Sequence, residues 1–536
     1  MSKLLMNALS LPLLLIVGLF GAGCGSTHAT SCTTNAHCTA GNSCIAGVCQ
    51  STPPGSGTGG TTDGGPSGIP TALPPGDGAA PDAGCVKLQC QVATCPTGTT
   101  TLAGHVYDPS GKVPLYNAMV YVPNQKPDAL PAGISCTACG AQVTGSPVSI
   151  GLSGSDGSFT LKNVPAGANI PLVFQIGKWR RQVTVPSVTA CTANIMTDPN
   201  LQRMPRSQTE GDIPHMAVAT GAADPLECLL LKIGISRPEF TGPAGSGRIH
   251  LYRSNGVALP SGSAAASGLW GSSASLSPYD LVLLPCEGAP NTKGAPILQN
   301  IVNYANAGGR VFTTHYGYVW MDDANASPFD QVANWSPDPL GNSFPPSPFN
   351  VSVDTTFPKG QAFHDWLTST GALQAEALPL VESRDDLTSV NTPVGATRWL
   401  YGSYNVNANP HDVVQHMTFN TPVHPALAAD GSPGLQCGRV VYSDFHIVPS
   451  TDASVSFPNE CNLSAALTPQ EKALIFMLFD VSSCVQSDST APSACSAVGQ
   501  GCSASQACCA GEACNTVKGD PCGTTGTACT CQGFLN

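Results

Sequence analysis

Cys286, Glu287, His315, Asp444 and His446 are the side chains of this sequence best placed to do chemistry, because each stands just past an apolar run. Cys286 and Glu287 follow Leu281-Val282-Leu283-Leu284-Pro285. His315 follows Val311-Phe312-Thr313-Thr314, and Asp444 and His446 close Val440-Val441-Tyr442-Ser443. Where such runs are strands of an open α/β sheet, their carboxyl ends share one rim, and ligands bind there. Gly221 joins the same rim at the end of Met216-Ala217-Val218-Ala219-Thr220. A thiol beside an imidazole is the pairing of nucleophilic catalysis, and two imidazoles with a carboxylate can pass protons or hold a metal. Each residue also has a plainer role, Cys286 as a small buried apolar group and the histidines as hydrogen-bonded structural residues.

Other reactive types are placed less usefully. His411, His416 and His424, with Asp412, fall in a Pro/Asn-rich stretch whose spacing matches no helix-face metal pair. Asp322 and Asp323 read as a solvated loop. Cys136-Thr137-Ala138-Cys139 has the form of a redox or zinc motif, but no second pair stands at zinc spacing and no strand-to-helix setting surrounds it. Pro131, Gly133 and Gly140 mark a loop there. Disulfides from Cys136 and Cys139 to Cys85, Cys90, Cys95 or Cys191 are expected, and no metal or cofactor is.

The elements that must position the rim alternate along the chain. Asp224 and Pro225 open a helix through Leu231, Arg248–Tyr252 is a strand, and a helix over Ala295–Ala307 reaches Arg310 through Gly308-Gly309. The last helix is expected over Thr468–Phe479, with Pro469 in its first turn and Glu471 close behind. Continuous apolar strands with helical crossovers imply a parallel sheet covered on both faces. Upstream, short strands come without helices. His105-Val106-Tyr107 and Ala118–Val122 flank a turn at Asp108-Pro109-Ser110-Gly111, and Ser155–Leu161 and Ile170–Ile176 follow.

Composition bounds the setting. The 536 residues include 57 Gly, 47 Pro and 24 Cys, and the formal net charge of -12 argues against nucleic acid as a partner. Lys3, an apolar run from Leu11 to Phe20, small residues Gly21-Ala22-Gly23 and then Cys24 make a secretory signal rather than a membrane span. In an oxidising compartment disulfides are the default. Setting Cys24 aside, four cysteines fall in 32–49 (Cys32, Cys38, Cys44, Cys49) and six in 85–191 (Cys85, Cys90, Cys95, Cys136, Cys139, Cys191). Five fall in 228–484, and eight close the chain: Cys495, Cys502, Cys508, Cys509, Cys514, Cys522, Cys529 and Cys531. If bridges stay within segments, the odd thiol lies among the five. Cys437 and Cys461 flank one strand and could bridge across it, Cys228 and Cys484 would pair only if the first and last helices lie side by side, and Cys286, at the end of a central apolar strand, is the one expected to stay free. Residues 50–84, almost wholly Gly, Pro, Ser, Thr, Ala and Asp, read as a flexible spacer.

Four resemblances gather these parts. Cys24 after its small residues resembles the lipobox of bacterial lipoproteins, although Gly21 stands where leucine is usual. That likeness implies a lipid on the Cys24 thiol, and Gly25 after it implies sorting to the outer membrane. The alternative is an ordinary signal peptide with Cys24 in a disulfide. Cys32 to Cys49 resembles the four-cysteine modules of myxobacterial surface lipoproteins. "DPSG", "SDGSFTLKNVPAG" and the strands about Trp179 resemble the carboxypeptidase regulatory-like domain, a non-catalytic sandwich of seven strands. "YDLVLLPCEG", "ILQNIVNYANAGGRVFTTHYG" and "GRVVYSDFH" resemble class I glutamine amidotransferase-like proteins, in their trehalose-utilisation (ThuA-like) branch. Catalytic members of that superfamily place cysteine in G-x-C-x-G on a tight elbow and glutamate two residues after a histidine. Here Leu284 precedes Cys286, the elbow carries Thr314-His315-Tyr316, and Val448 follows His446, so the triad is absent.

The expected chain is therefore multidomain: a transthyretin-like β-sandwich plus a flavodoxin-like α/β parallel-sheet domain, with small disulfide-rich modules at both ends. Its parts are a signal peptide (1–23), a four-cysteine module (24–49), a linker (50–84), the sandwich (85–205), the α/β domain (206–486) and an eight-cysteine module (487–536). The expected role is a lipid-anchored envelope protein that binds glycan or a protein partner without catalysis. The alternative is a hydrolase or sugar-modifying enzyme at the rim, with His315 and His446 as acid and base and Glu287 assisting.

Overall fold

A computed structural model describes Asn42–Ile45, Val48–Ser51 and residues 85–533, less 137–138, 140–141, 257–258, 260–262, 338–343, 428–433, 449–454, 498, 504–506, 511 and 517–528. The chain divides into two compact units, 1–80 and 81–536. In the first, β1 (Asn42–Ile45) and β2 (Val48–Ser51) form an antiparallel hairpin whose register sets Cys44 opposite Cys49. The signal peptide, Cys24, Cys32, Cys38 and residues 52–84 of the expected spacer lie outside the described residues, while its first two residues belong to β2.

The second unit begins with two facing sheets. Their strands are β3 (Thr101–His105), β4 (Met119–Pro123), β5 (Pro147–Leu152), β6 (Ser158–Lys162), β7 (Gly167–Ile176), β8 (Trp179–Val188) and β9 (Ala193–Ile195). One sheet has the order β6-β3-β9 and the other β5-β4-β7-β8. Alternation buries Phe159 and Leu161 of β6, and Phe159 meets Phe174 edge to face at 5.9 Å. The Asp108 turn is fixed by its own carboxylate, which accepts from Ser110 Oγ and from the backbone N–H of Lys112 and Val113.

The larger part is one ten-stranded sheet with its covering helices. In chain order come β10 (Met216–Ala219), α1 (Leu226–Lys232), β11 (Phe240–Thr241), β12 (Ile249–Tyr252), α2 (Ser267–Trp270), α3 (Ser273–Leu276), β13 (Leu281–Leu284), α4 (Ala295–Asn306) and β14 (Arg310–Thr314). Then follow β15 (Ala333–Trp335), β16 (Phe349–Val353), α5 (Pro358–Ser369), β17 (Leu378–Leu380), β18 (Leu387–Val390), β19 (Thr397–Val406), β20 (Asn409–Thr421), β21 (Gly438–Ser443) and α6 (Pro469–Ser482). The sheet order is β11-β12-β10-β13-β14-β21-β20-β19-β16-β17, parallel through β21 and antiparallel beyond.

Every residue of β10, β13, β14 and β21 is buried, because both faces are covered. Met216, Val218, Leu281, Leu283, Phe312 and Val441 face one core, and Ala217, Val282, Leu284, Val311, Val440 and Tyr442 the other. The second core is closed by α4, whose Leu298, Ile301, Val302 and Ala305 make one helical face. On the first lies α6, started by a reciprocal cap in which Thr468 and Glu471 satisfy each other's backbone N–H groups.

That first core runs without a break into the seven-stranded part, where Trp179 packs on Phe479 at 5.4 Å. Bridges Cys136–Cys437 and Cys139–Cys484 fasten the two covalently, and Cys228–Cys461 ties α1 to the loop before α6. These correct two expectations. Cys437 does not pair with Cys461, and Cys136 and Cys139 reach across segments rather than to Cys85, Cys90, Cys95 or Cys191. Those four pair as Cys85–Cys90 and Cys95–Cys191. The physical reason is that β4–β5 and β21 share one interior, so the nearest sulfur in space is distant in sequence.

Lys359 of α5 and Arg439 of β21 are buried with Asp480 and Asp488, at nitrogen–oxygen distances of 2.7 to 3.3 Å. Two cations meet two anions, so no net charge is left in the core. At the C-terminus β22 (Glu512–Thr516) pairs with β23 (Cys529–Gly533). Bridges Cys495–Cys509, Cys502–Cys514 and Cys508–Cys531 staple this tail, and Cys495 and Cys509 pack on Tyr121 and Val143. Among the described residues no helix is long and apolar enough to cross a membrane.

Candidate functional site

The carboxyl ends of β10, β13, β14 and β21 do bring Gly221, Cys286, His315, Asp444 and His446 together. Cys286 has a free thiol and is wholly buried, with Sγ 3.2 Å from His315 Nδ1. Gly288 N–H donates to the same sulfur at 3.4 Å. Burial, the largest influence, pushes the thiol up to about 12. His315 holds a left-handed backbone, φ 50°, at the sharp exit from β14. Its imidazole is pushed well below the usual range by burial, and further by His446 and Arg384. The two imidazoles lie on the same side of the sheet, edge to face at 4.5 Å.

His446 is 3 % exposed, and its Nδ1 lies 2.7 Å from Ile447 O. Nδ1 is the donor there, and Nε2 lies 3.6 Å from the carboxylate of Glu382, whose side chain is 55 % exposed. Glu382 has φ 53°, a second left-handed residue on the same rim. Beneath them Asp224 is buried and accepts from Thr314 Oγ1 and, at 3.1 Å, from Ile447 N–H. Burial raises its carboxyl.

In an open sheet the crevice for a ligand lies where the strand order reverses, here between β10 and β13. That crevice is shut. A Cβ on Gly221 would stand 2.2 Å from Cys286 O, and Ala223 N–H donates to the same oxygen at 3.4 Å.

A second group surrounds the rim. Arg384 grips Asp386 through two bonds of 2.6 and 2.8 Å and lies 4.3 Å over the Tyr316 ring. Asp386 N–H donates to Asp444 Oδ2, and Tyr442 Oη donates to Asp444 Oδ1 at 2.7 Å. Burial, then the neighbouring Asp386 charge, lifts Asp444 well above the usual carboxylate range. Sequence reasoning missed Glu382, Arg384 and Asp386. Their signal was the charge run Glu382-Ser383-Arg384-Asp385-Asp386, which stands out in a chain with so few charges.

Other expectations need correction. Glu287 does not assist the imidazoles, because Ser254 Oγ and Lys293 Nζ (2.6 Å) hold its carboxylate. Lys293 is in turn 5.1 Å from the Trp270 and Trp320 rings. His411, Asp412 and His416 are in strand β20, not a loop. His416 Nδ1 meets Ser443 Oγ at 2.6 Å, His411 lies 3.6 Å from Asp385, and His424 meets Gln331 at 3.1 Å. Three separate settings share no metal. Asp322 is half-buried, and burial with the Asp323 charge lifts it to about 6, so a fully solvated loop is the wrong description. Among the described residues, clusters of three close ligating atoms occur at Cys502, Cys508 and Cys514 and at Cys228, Glu460 and Cys461. Every cysteine in them is already in a disulfide.

No protein-family model matches this chain, and no curated protein does. Among solved structures, a cytoplasmic protein of Salmonella typhimurium aligns at 9 % identity and TM-score 0.25, covering 50 % of this chain and 99 % of that one. A type II cohesin–X-dockerin complex of Acetivibrio cellulolyticus aligns at 15 % identity and TM-score 0.13, covering 27 % and 75 %. Likeness this slight carries no functional argument.

Proposed function

We propose that this protein is a lipid-anchored component of the bacterial cell envelope that binds a glycan or protein partner and performs no cysteine-dependent amide chemistry. The β-sandwich is read as transthyretin-like and the large sheet as flavodoxin-like. Counting its parallel strands from β10 but leaving out the short β11, their order is 2-1-3-4-5, which supports the second reading. The observation that carries the proposal is the sealed thiol. Cys286 is buried, its sulfur is engaged by His315 and Gly288, and its affinity for the proton keeps it neutral at pH 7. A neutral, enclosed thiol attacks nothing. Membrane attachment rests on Cys24 and its leader.

A second reading is favoured by the two left-handed residues, since backbone strain of this kind collects at active sites. In it His446, with Nε2 turned to exposed Glu382, is the base of a hydrolase. One experiment separates the two. The full chain is incubated with isolated envelope polymers, and both retention and release of soluble fragments are measured. Retention without fragments is expected. Fragment release that disappears in Glu382→Gln would overturn the non-catalytic reading.

A further inference from the structure

A cavity of about 480 Å3 is lined by none of the rim residues. Segments far apart in sequence converge on it: the turn between β16 and α5, strand β18 with the start of β19, Val414, and the stretch after α6. Its volume falls in the range of small-molecule sites. Phe357 supplies an apolar wall and is fixed edge to face on buried Trp399 at 5.0 Å. Arg398 and Asp354 supply a rigid polar pair, joined at 2.7 and 2.9 Å, with the guanidinium 3.8 Å over Tyr401. The hydroxyls of Thr388, Thr392 and Thr397 also line the cavity and bond to no side chain among the described residues.

We propose that this cavity binds a neutral oligosaccharide, one or two sugar rings at a time. Among the described residues the charges lining it are Asp354 and Arg398, which are paired with each other, so an ionic ligand finds no spare counter-charge there. An aromatic wall covers the C–H face of a pyranose, and rotatable hydroxyls that both donate and accept match its O–H groups. The inference rests on the binding role proposed above and assigns that role a place.

The test titrates the full chain with N,N′,N″-triacetylchitotriose, cellotriose and maltotriose, read by calorimetry and saturation-transfer NMR. Saturable binding of at least one is expected. Thr392→Trp, an exposed position at the mouth, should abolish it. Thr388→Ala with Thr397→Ala should weaken it about tenfold, two hydrogen bonds' worth, with the melting temperature unchanged. No binding of any trisaccharide overturns the cavity assignment, and so does equal binding by Thr392→Trp. In either case polymer retention by the wild-type chain would leave the broader binding role standing, and its absence would remove both.

Discussion

At the scale of single residues, the chemistry of this protein is decided by burial. Cys286, His315, Asp224 and Asp444, which would be reactive at an open rim, are turned inward, and burial shifts each of these four toward its neutral form. In the buried ion-pair cluster Asp488 goes the other way. Burial pushes its carboxyl up, but the Arg439 and Lys359 charges overcome that push and hold it down at about 2. Its unfolded value is near 3.8, so the folded state binds this proton less readily than the unfolded one. The stabilisation is complete above pH 3.8 and is lost as pH falls through about 2. Asp488→Asn should therefore cost about 3–5 kcal/mol at pH 6, because Arg439 and Lys359 lose half of their counter-charge. Denaturant melts between pH 6 and 2 check both parts, and the gap between wild type and variant should narrow at the acid end. A constant gap would mean that Asp488 is not charged in the fold.

At the scale of elements, the central parallel strands of the large sheet were legible and its antiparallel hairpin β19–β20 was not. β10 and β13 announce themselves as short, wholly apolar runs, β14 and β21 by the apolar pairs Val311-Phe312 and Val440-Val441, and α6 by its proline start. The β19–β20 hairpin hides because its two-residue turn is Asn407-Ala408, both left-handed at φ 51° and 68°, where Asn-Gly would have been recognisable. Ala408 is also strained there. Ala408→Gly is expected to raise stability by about 0.5–1 kcal/mol, the relief of that conformation less the entropy glycine adds to the unfolded chain. Chemical denaturation measures it, and a loss of stability would argue against the turn. At the rim, strand-end logic found Cys286, His315 and His446. It could not find Glu382 or Arg384, which arrive from a segment with no periodic pattern of its own.

At the scale of the whole molecule, residues 81–536 behave as one body rather than a string of modules. Composition marked where parts begin but not that they share a core. Three expected domains are joined by Cys136–Cys437, Cys139–Cys484 and the packing of Cys495 and Cys509 on Tyr121. Such cross-linking suits a rigid body better than one that must open to turn over substrate. It also leaves one thiol unpaired among the described residues, at the centre of the candidate site. The most direct test is the intact mass of the protein after iodoacetamide treatment at pH 8 without reductant. In the native state Cys286 should take up no label, and after denaturation it should take up one. Labelling of native Cys286 would show an accessible thiolate and contradict the sealed rim, and its absence after denaturation would place Cys286 in a disulfide.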